Sequence, residues 1–155
     1  MEQYDVVVVG LGVMGAAATW SASKRGMSVL AVDANAENHV LGSSHGKTRA
    51  TRESYFESPE YVPLAQSAHA LWRTWEGEAQ ASLLTMNGGA YLGPLDHPVL
   101  AGVRQAAAEH DLDLEVYAPD EMMALHPGFH MPQDWQGLIE RTSGEYPHVV
   151  LEPTE

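Results

Sequence analysis

The sequence contains no cysteine, which excludes a disulfide framework, a cysteine nucleophile and thiolate metal sites. Cations are scarce: 8 Lys+Arg stand against 21 Asp+Glu, a net charge of −13. Such a surface repels phosphate backbones and anionic lipid, so nucleic acid and membrane surfaces are disfavoured as partners. Ordinary solubility is the simpler reading of the acidity. No apolar run approaches the ~20 residues of a membrane span. Glu2 and Asp5 stand where a secretory signal would carry its basic start. The expectation is a soluble, cytoplasmic protein. Gly42-Ser43-Ser44-His45-Gly46 has G-x-S-x-G spacing, but Asn38-His39-Val40-Leu41 before it is a poor buried strand, so the strand-to-helix elbow of serine catalysis is not expected. His126 and His130 are four apart, but Pro127 and Gly128 would break the helix needed to align them, and no Cys or paired carboxylate completes a set. No metal site is expected.

What is present begins with residues 4–33, which read as strand, glycine turn, helix, strand. Residues 4–9 (Tyr-Asp-Val-Val-Val-Val) are the short apolar, β-branched run of a parallel strand buried on both faces. They lead directly into Gly10-Leu11-Gly12-Val13-Met14-Gly15, a GxGxxG. Gly10 permits the sharp turn, Gly12 lets backbone approach a pyrophosphate, and Gly15 lets the next helix pack closely on the strand. That helix runs from Val13 to about Arg25 and closes on Lys24-Arg25-Gly26, cations followed by a C′ glycine. Residues 28–32 form the second strand, with Asp33 at its end, where a carboxylate can accept both hydroxyls of an adenosine ribose. Asp33 repels a 2′-phosphate, and Ala34-Asn35-Ala36 offers no arginine for one. The ligand is FAD or NAD rather than NADP, and the motif alone does not choose between them.

A second βαβ would put another apolar strand soon after Asp33, but residues 35–44 are polar. Gly42-Ser43-Ser44-His45-Gly46-Lys47-Thr48-Arg49-Ala50-Thr51-Arg52 follows. Gly46-Lys47-Thr48 matches the end of a P-loop, yet Gly42 is one place wrong for its first glycine and no buried strand precedes it, so triphosphatase chemistry is disfavoured. Arg49 and Arg52 are permanently charged planar donors, suited to a carboxylate or to the electron-rich end of a flavin. His45 can donate or accept a hydrogen bond there. In a helix His45, Arg49 and Arg52 would share a face; in an extended segment the two arginines would face opposite ways. A solvated basic turn on an acidic protein is the alternative for the whole stretch.

Further along, residues 60–78 have helical spacing, with Val62, Ala65, Ala68, Trp72 and Trp75 recurring and Pro63 in the first turn. The tryptophans read as core. Residues 83–85 and 90–92 read as short strands around the turn signal Asn87-Gly88-Gly89. Residues 97–111 form a second amphipathic helix through Val99, Val103, Ala106 and Ala107. Residues 112–117 form a strand, and Pro119-Asp120-Glu121 opens a short helix. Two prolines and three glutamates make residues 145–155 a loose end.

The glycine unit, Gly-Ser-Ser-His-Gly, Thr48-Arg49, Arg52, Tyr55 and Glu60-Tyr61-Val62-Pro63-Leu64 together resemble the sarcosine oxidase and N-methyl-tryptophan oxidase group of D-amino-acid-oxidase-like flavoproteins. The similarity continues through Leu71-Trp72, residues 88–94, the 120–128 segment and Ser143-Gly144. The resemblance implies an α/β fold: the N-terminal part of a Rossmann-like FAD-binding domain (1–82), the beginning of an α+β substrate domain (83–144) and a divergent tail (145–155). It implies FAD as cofactor, held by Gly10, Gly12, Gly15, Asp33, Ser43, Ser44, Thr48 and Arg49. His45 and Arg49 would lie beside the flavin ring as the catalytic pair, and Arg52 would clamp a substrate carboxylate. The implied reaction is oxidation of the C–N bond of a secondary amine such as sarcosine by molecular oxygen, giving hydrogen peroxide. The family's oxygen-activating lysine, flavin-attaching cysteine and closing glycine-rich segment lie in a second half beyond this chain. A non-catalytic FAD or adenine-nucleotide module, or a subunit needing another chain, is the alternative.

Overall fold

A computed structural model describes residues 2–36, 39–43, 45 and 48–147. The chain divides into two compact units, residues 1–47 with 148–155 and residues 48–147.

The first unit is a parallel pair with its crossover helix: β1 (Val6–Val9), α1 (Val13–Lys24) and β2 (Val29–Val32). Val6 pairs with Val29 and Val9 with Val32. β1 starts later than residue 4 because Asp5 is occupied elsewhere. Its carboxylate accepts from the Ser28 amide at 2.8 Å and hydroxyl at 2.7 Å, and its own amide donates to the Ser28 carbonyl at 3.0 Å. α1 ends as its sequence predicts. Gly26 (φ 78°) donates to the Ser23 carbonyl and Met27 to the Ala22 carbonyl, the paired bonds of a Schellman turn. The expectation that β1 is buried on both faces is corrected. Val6 and Val8 are half-buried, but Val7 is 57% and Val9 81% exposed; among the described residues of this unit, α1 packs on a sheet of two strands.

The second unit contains β3 (Thr48–Thr51), a 3-10 turn (Pro59–Tyr61), α2 (Val62–Ala79), β4 (Gly89–Pro94), α3 (Pro98–His110), β5 (Leu114–Tyr117), α4 (Pro119–Leu125), β6 (Trp135–Glu140) and β7 (Gly144–Pro147). β6 is the centre of an antiparallel sheet ordered β4-β6-β5, and β3 pairs antiparallel with β7. Leu100 and Val103 of α3 pack on Leu138 of β6, with Phe56, Tyr91, Val99 and Leu114 around them. Met122 of α4 covers the opposite face at Gly137, where a Cβ would lie 3.2 Å from Met122 Cγ. Trp72 and Trp75 meet edge to face at 5.3 Å and are half-buried.

Two expectations change here, and one strand is added. Residues 83–84 are not a strand: their amides donate to Glu76 Oε1 at 2.9 and 3.0 Å, so the ladder they would have joined is replaced by a carboxylate. Residues 145–147, expected in a loose end, pair with the arginine strand together with Gly144. The added strand is β6, whose apolar run is interrupted by Gly137 and Glu140 and so gives no strand pattern in the sequence.

Candidate functional site

In the first unit the glycine turn, the start of α1 and the end of β2 converge. Gly10 adopts φ 94°, which favours glycine, and its amide donates to the Val32 carbonyl at 2.8 Å. A Cβ on Gly15 would stand 1.8 Å from the Gly10 carbonyl oxygen, so helix and turn approach as closely as backbone permits. Gly12 is the extended N-cap of α1, with no side-chain cap and no acid in the first turn. A helix start of this kind, with its partial positive charge, is suited to a pyrophosphate. Asp33 Oδ2 accepts from the Leu11 amide at 2.6 Å and Oδ1 from the Asn35 amide at 2.9 Å, which places the carboxylate against the turn. These bonds, the Leu11 amide foremost, hold its pKa below the usual carboxylate value. Oδ1 also accepts from Asn35 Nδ2 at 3.4 Å and has His39 Nε2 at 3.5 Å, whereas Oδ2 takes the Leu11 amide alone and keeps a lone pair for a ribose hydroxyl. Gly10, Gly12, Gly15 and Asp33 are therefore brought together, and the cradle fits a dinucleotide.

The rest of the predicted set is placed less completely. His45 Nδ1 lies 2.5 Å from the Gly42 carbonyl within the loop after β2. Ser43 is exposed in the same loop. Ser44 lies outside the described residues.

Thr48, Arg49 and Arg52 belong to the second unit. The segment is extended rather than helical, so the alternative in which one face carries both arginines is excluded. Arg49 sits within β3 opposite Tyr146 in register, and Arg52 follows the strand's last residue. Arg52 Nη2 pairs with Glu57 Oε1 at 2.7 Å, and the guanidinium lies 4.6 Å from the Tyr55 ring centre and 4.8 Å from that of Phe56. Its Nε is buried without a hydrogen-bond partner. The Arg52 side chain is 32% exposed and that of Glu57 is 44% exposed, so water reaches this pair and it can be exchanged.

Behind Arg52 lies a buried network that the sequence did not reveal. Glu140, fully buried, accepts from the Glu53 amide at 2.6 Å and the Ser54 amide at 3.1 Å. It also accepts from the Ser54 hydroxyl and, at 3.1 Å, from the Thr142 hydroxyl. The Tyr91 hydroxyl is 3.3 Å from the Ser54 carbonyl and 3.4 Å from Glu140. Burial first, and Glu140 beside it, push Tyr91 up to about 12. Glu53 in turn meets His69 on α2. The one signal available was an acid at the end of an apolar run, Leu138-Ile139-Glu140.

A separate cavity of about 640 Å³ in the second unit is lined by Tyr117, Leu125, His126, Phe129, Ile139 and Arg141, among others. Its cation is committed: Arg141 holds Glu115 through two bonds of 2.6 and 3.0 Å. Among the described residues no His, Asp or Glu cluster could hold a metal ion, and no helix is long and apolar enough to cross a membrane.

Residues 5–151 match the family model described as FAD dependent oxidoreductase. Monomeric sarcosine oxidase of Arthrobacter sp. (strain TE1826) is 39% identical over 144 residues, covering 92% of this chain and 37% of that protein. N-methyl-L-tryptophan oxidase of Citrobacter koseri is 37% identical over 142 residues, covering 92% of this chain and 38% of that protein. A point variant of NikD, an unusual amino acid oxidase essential for nikkomycin biosynthesis, superposes with a TM-score of 0.81 at 24% identity, over 96% of this chain and 38% of that one. At that identity the superposition speaks to the fold. The chain spans less than two-fifths of the length of these relatives.

Proposed function

The chain belongs to the FAD dependent oxidoreductase family, and from that premise we propose that its first unit binds FAD in the service of secondary-amine oxidation. The observation that supports the cofactor reading is Asp33 seated on the Leu11 amide beside the uncapped start of α1. The pyrophosphate would lie at Gly10, Gly12 and Gly15, and the adenosine ribose at Asp33. Ser43, Ser44, Thr48 and Arg49 would complete the cofactor contacts, with His45 and Arg49 toward the flavin ring.

The substrate reading, an N-methyl amino acid such as sarcosine, is supported by the likeness to the two oxidases named above. The chemistry a bound FAD would supply is acceptance of a hydride equivalent from the C–H beside the amine nitrogen; with the proton released from the amine N–H, reoxidation by molecular oxygen would give hydrogen peroxide, and water would hydrolyse the imine to amine and formaldehyde. The chain's own part is to bind and orient. Arg52 would receive the substrate carboxylate in place of Glu57, whose exposed side chain returns to water. Arg52's stacking on Tyr55 and Phe56 keeps the guanidinium plane fixed through that exchange.

One observation favours a second reading, a binding module without turnover or a subunit needing another chain. β1 and β2 form a sheet of two strands, with Val9 left 81% exposed. The test is titration of the full chain with FAD, followed by flavin fluorescence, and then a peroxide assay with sarcosine. Saturable binding that Gly15→Ala abolishes supports the cofactor site. FAD binding unchanged by Gly15→Ala removes it. Peroxide formation selects the first reading, and binding without peroxide selects the second.

A further inference from the structure

Thr51 and Glu53 flank Arg52 in sequence, and both hold the same imidazole. His69 Nδ1 lies 3.0 Å from Glu53 Oε1, and His69 Nε2 lies 2.9 Å from Thr51 Oγ1. The side chains of His69 and Glu53 are each only 11% exposed. On the other side, Glu140 fixes the amides of Glu53 and Ser54. Residues 51, 53 and 54 are thus tied to α2 and β6, while the side chain of Arg52 between them reaches water and Glu57.

We propose that His69 is a positioning residue for Arg52: by joining Thr51 to Glu53 it fixes the backbone from which the guanidinium meets a carboxylate. This rests on the reading of Arg52 as carboxylate receptor given above. The hydrogen bonds suit either charge state of the ring. A neutral imidazole donates from Nδ1 to Glu53 and accepts the Thr51 hydroxyl at Nε2; a protonated one donates at both nitrogens. Either way the two residues beside Arg52 cannot turn independently. A guanidinium whose stem is free to rotate must be ordered when a carboxylate binds, and that ordering is lost affinity.

Glutamine distinguishes positioning from mere filling, because its amide offers one donor and one acceptor at about the separation of the two ring nitrogens. The experiment follows the Arg52 Nε–H resonance of the full ¹⁵N-labelled chain, assigned by its loss in Arg52→Lys, during titration with acetate. Wild type is expected to shift saturably. His69→Ala should weaken acetate binding about fivefold, the isosteric Thr51→Val two- to threefold, and His69→Gln less than twofold. Acetate affinity unchanged in His69→Ala or in Thr51→Val overturns the proposal, as does His69→Gln binding as weakly as His69→Ala. Should His69→Ala fail to fold, Thr51→Val decides. If acetate leaves the wild-type resonance unmoved, the carboxylate reading of Arg52 fails, and positioning is judged on the acetate-free resonance. A shift in Thr51→Val and His69→Ala that His69→Gln restores supports it; no shift in any of the three overturns it.

Discussion

The two units hold their strands in opposite ways. In the first, β1 is four valines in a row, yet two of them face water, and the unit's specific contacts sit at its turns and strand ends: a glycine turn, a Schellman stop, an aspartate on the turn's amide. In the second, β6 carries a glycine and a carboxylate yet has both neighbours, and its Leu138 and Glu140 are fully buried. Hydrophobicity written along a strand therefore says little about burial until its neighbours are known. A polar residue is not a surface residue when enough donors surround it.

The largest expected effect is at Glu140. Glu140→Ala strips the acceptor from two buried amides and a buried hydroxyl, each costing about 1–3 kcal/mol when left unsatisfied. The second unit should lose about 3 kcal/mol or more, read by denaturation with residue-resolved hydrogen exchange. Amides of residues 6–9 in the first unit should keep their protection. A loss below about 1 kcal/mol would mean that water substitutes for the carboxylate and that the network is not buried.

That network also marks the limit of what the sequence discloses. The order of elements, the glycine turn and the helix stop of the first unit were legible, because each of their signals is local: glycines at fixed spacing, cations before a terminal glycine, an acid at a strand end. The 98–110 helix was equally legible from the spacing of Val99, Val103 and Ala106. Glu140 was not, since the groups that make it tolerable lie 86 and 87 positions away at Ser54 and Glu53. Residues 83–84 misled for the same reason in reverse, a strand-like composition whose amides are taken by a helix residue, Glu76. The arginine pair could be placed only as two alternatives, and the extended β3 decided between them.

Two valines sharpen the contrast at equal chemistry. Val103 is fully buried against Leu138, whereas Val9 is 81% exposed. Val103→Ala should cost about 2 kcal/mol through lost burial and the cavity left behind. Val9→Ala should change stability by less than about 0.5 kcal/mol. Both are read from the midpoint of urea unfolding at constant slope. Equal costs at the two sites would show that the open face of β1 is covered in solution, by a second copy or another polypeptide, and would break the comparison.

The smallest effect is electrostatic and belongs to Asp33. The Leu11 amide, then the Asn35 amide, lower its folded pKa, while the unfolded chain keeps a value of about 3.9. Between those two values the unfolded state binds more protons than the folded one, so stability rises with pH. The stabilisation is complete above about pH 4–5 and is lost as pH falls through the folded pKa. Asparagine retains one acceptor oxygen but no charge, so Asp33→Asn should lower the first unit's thermal midpoint at pH 7. The gap to wild type should shrink on acidification, as pH falls through the folded pKa and the wild-type side chain becomes neutral. The check is the wild-type minus variant midpoint across pH 7 to 3, followed on the amides of β1 and β2. A gap that stays constant across that range would show that the Asp33 charge contributes nothing to the turn. The carboxylate would then be left for a bound ligand alone.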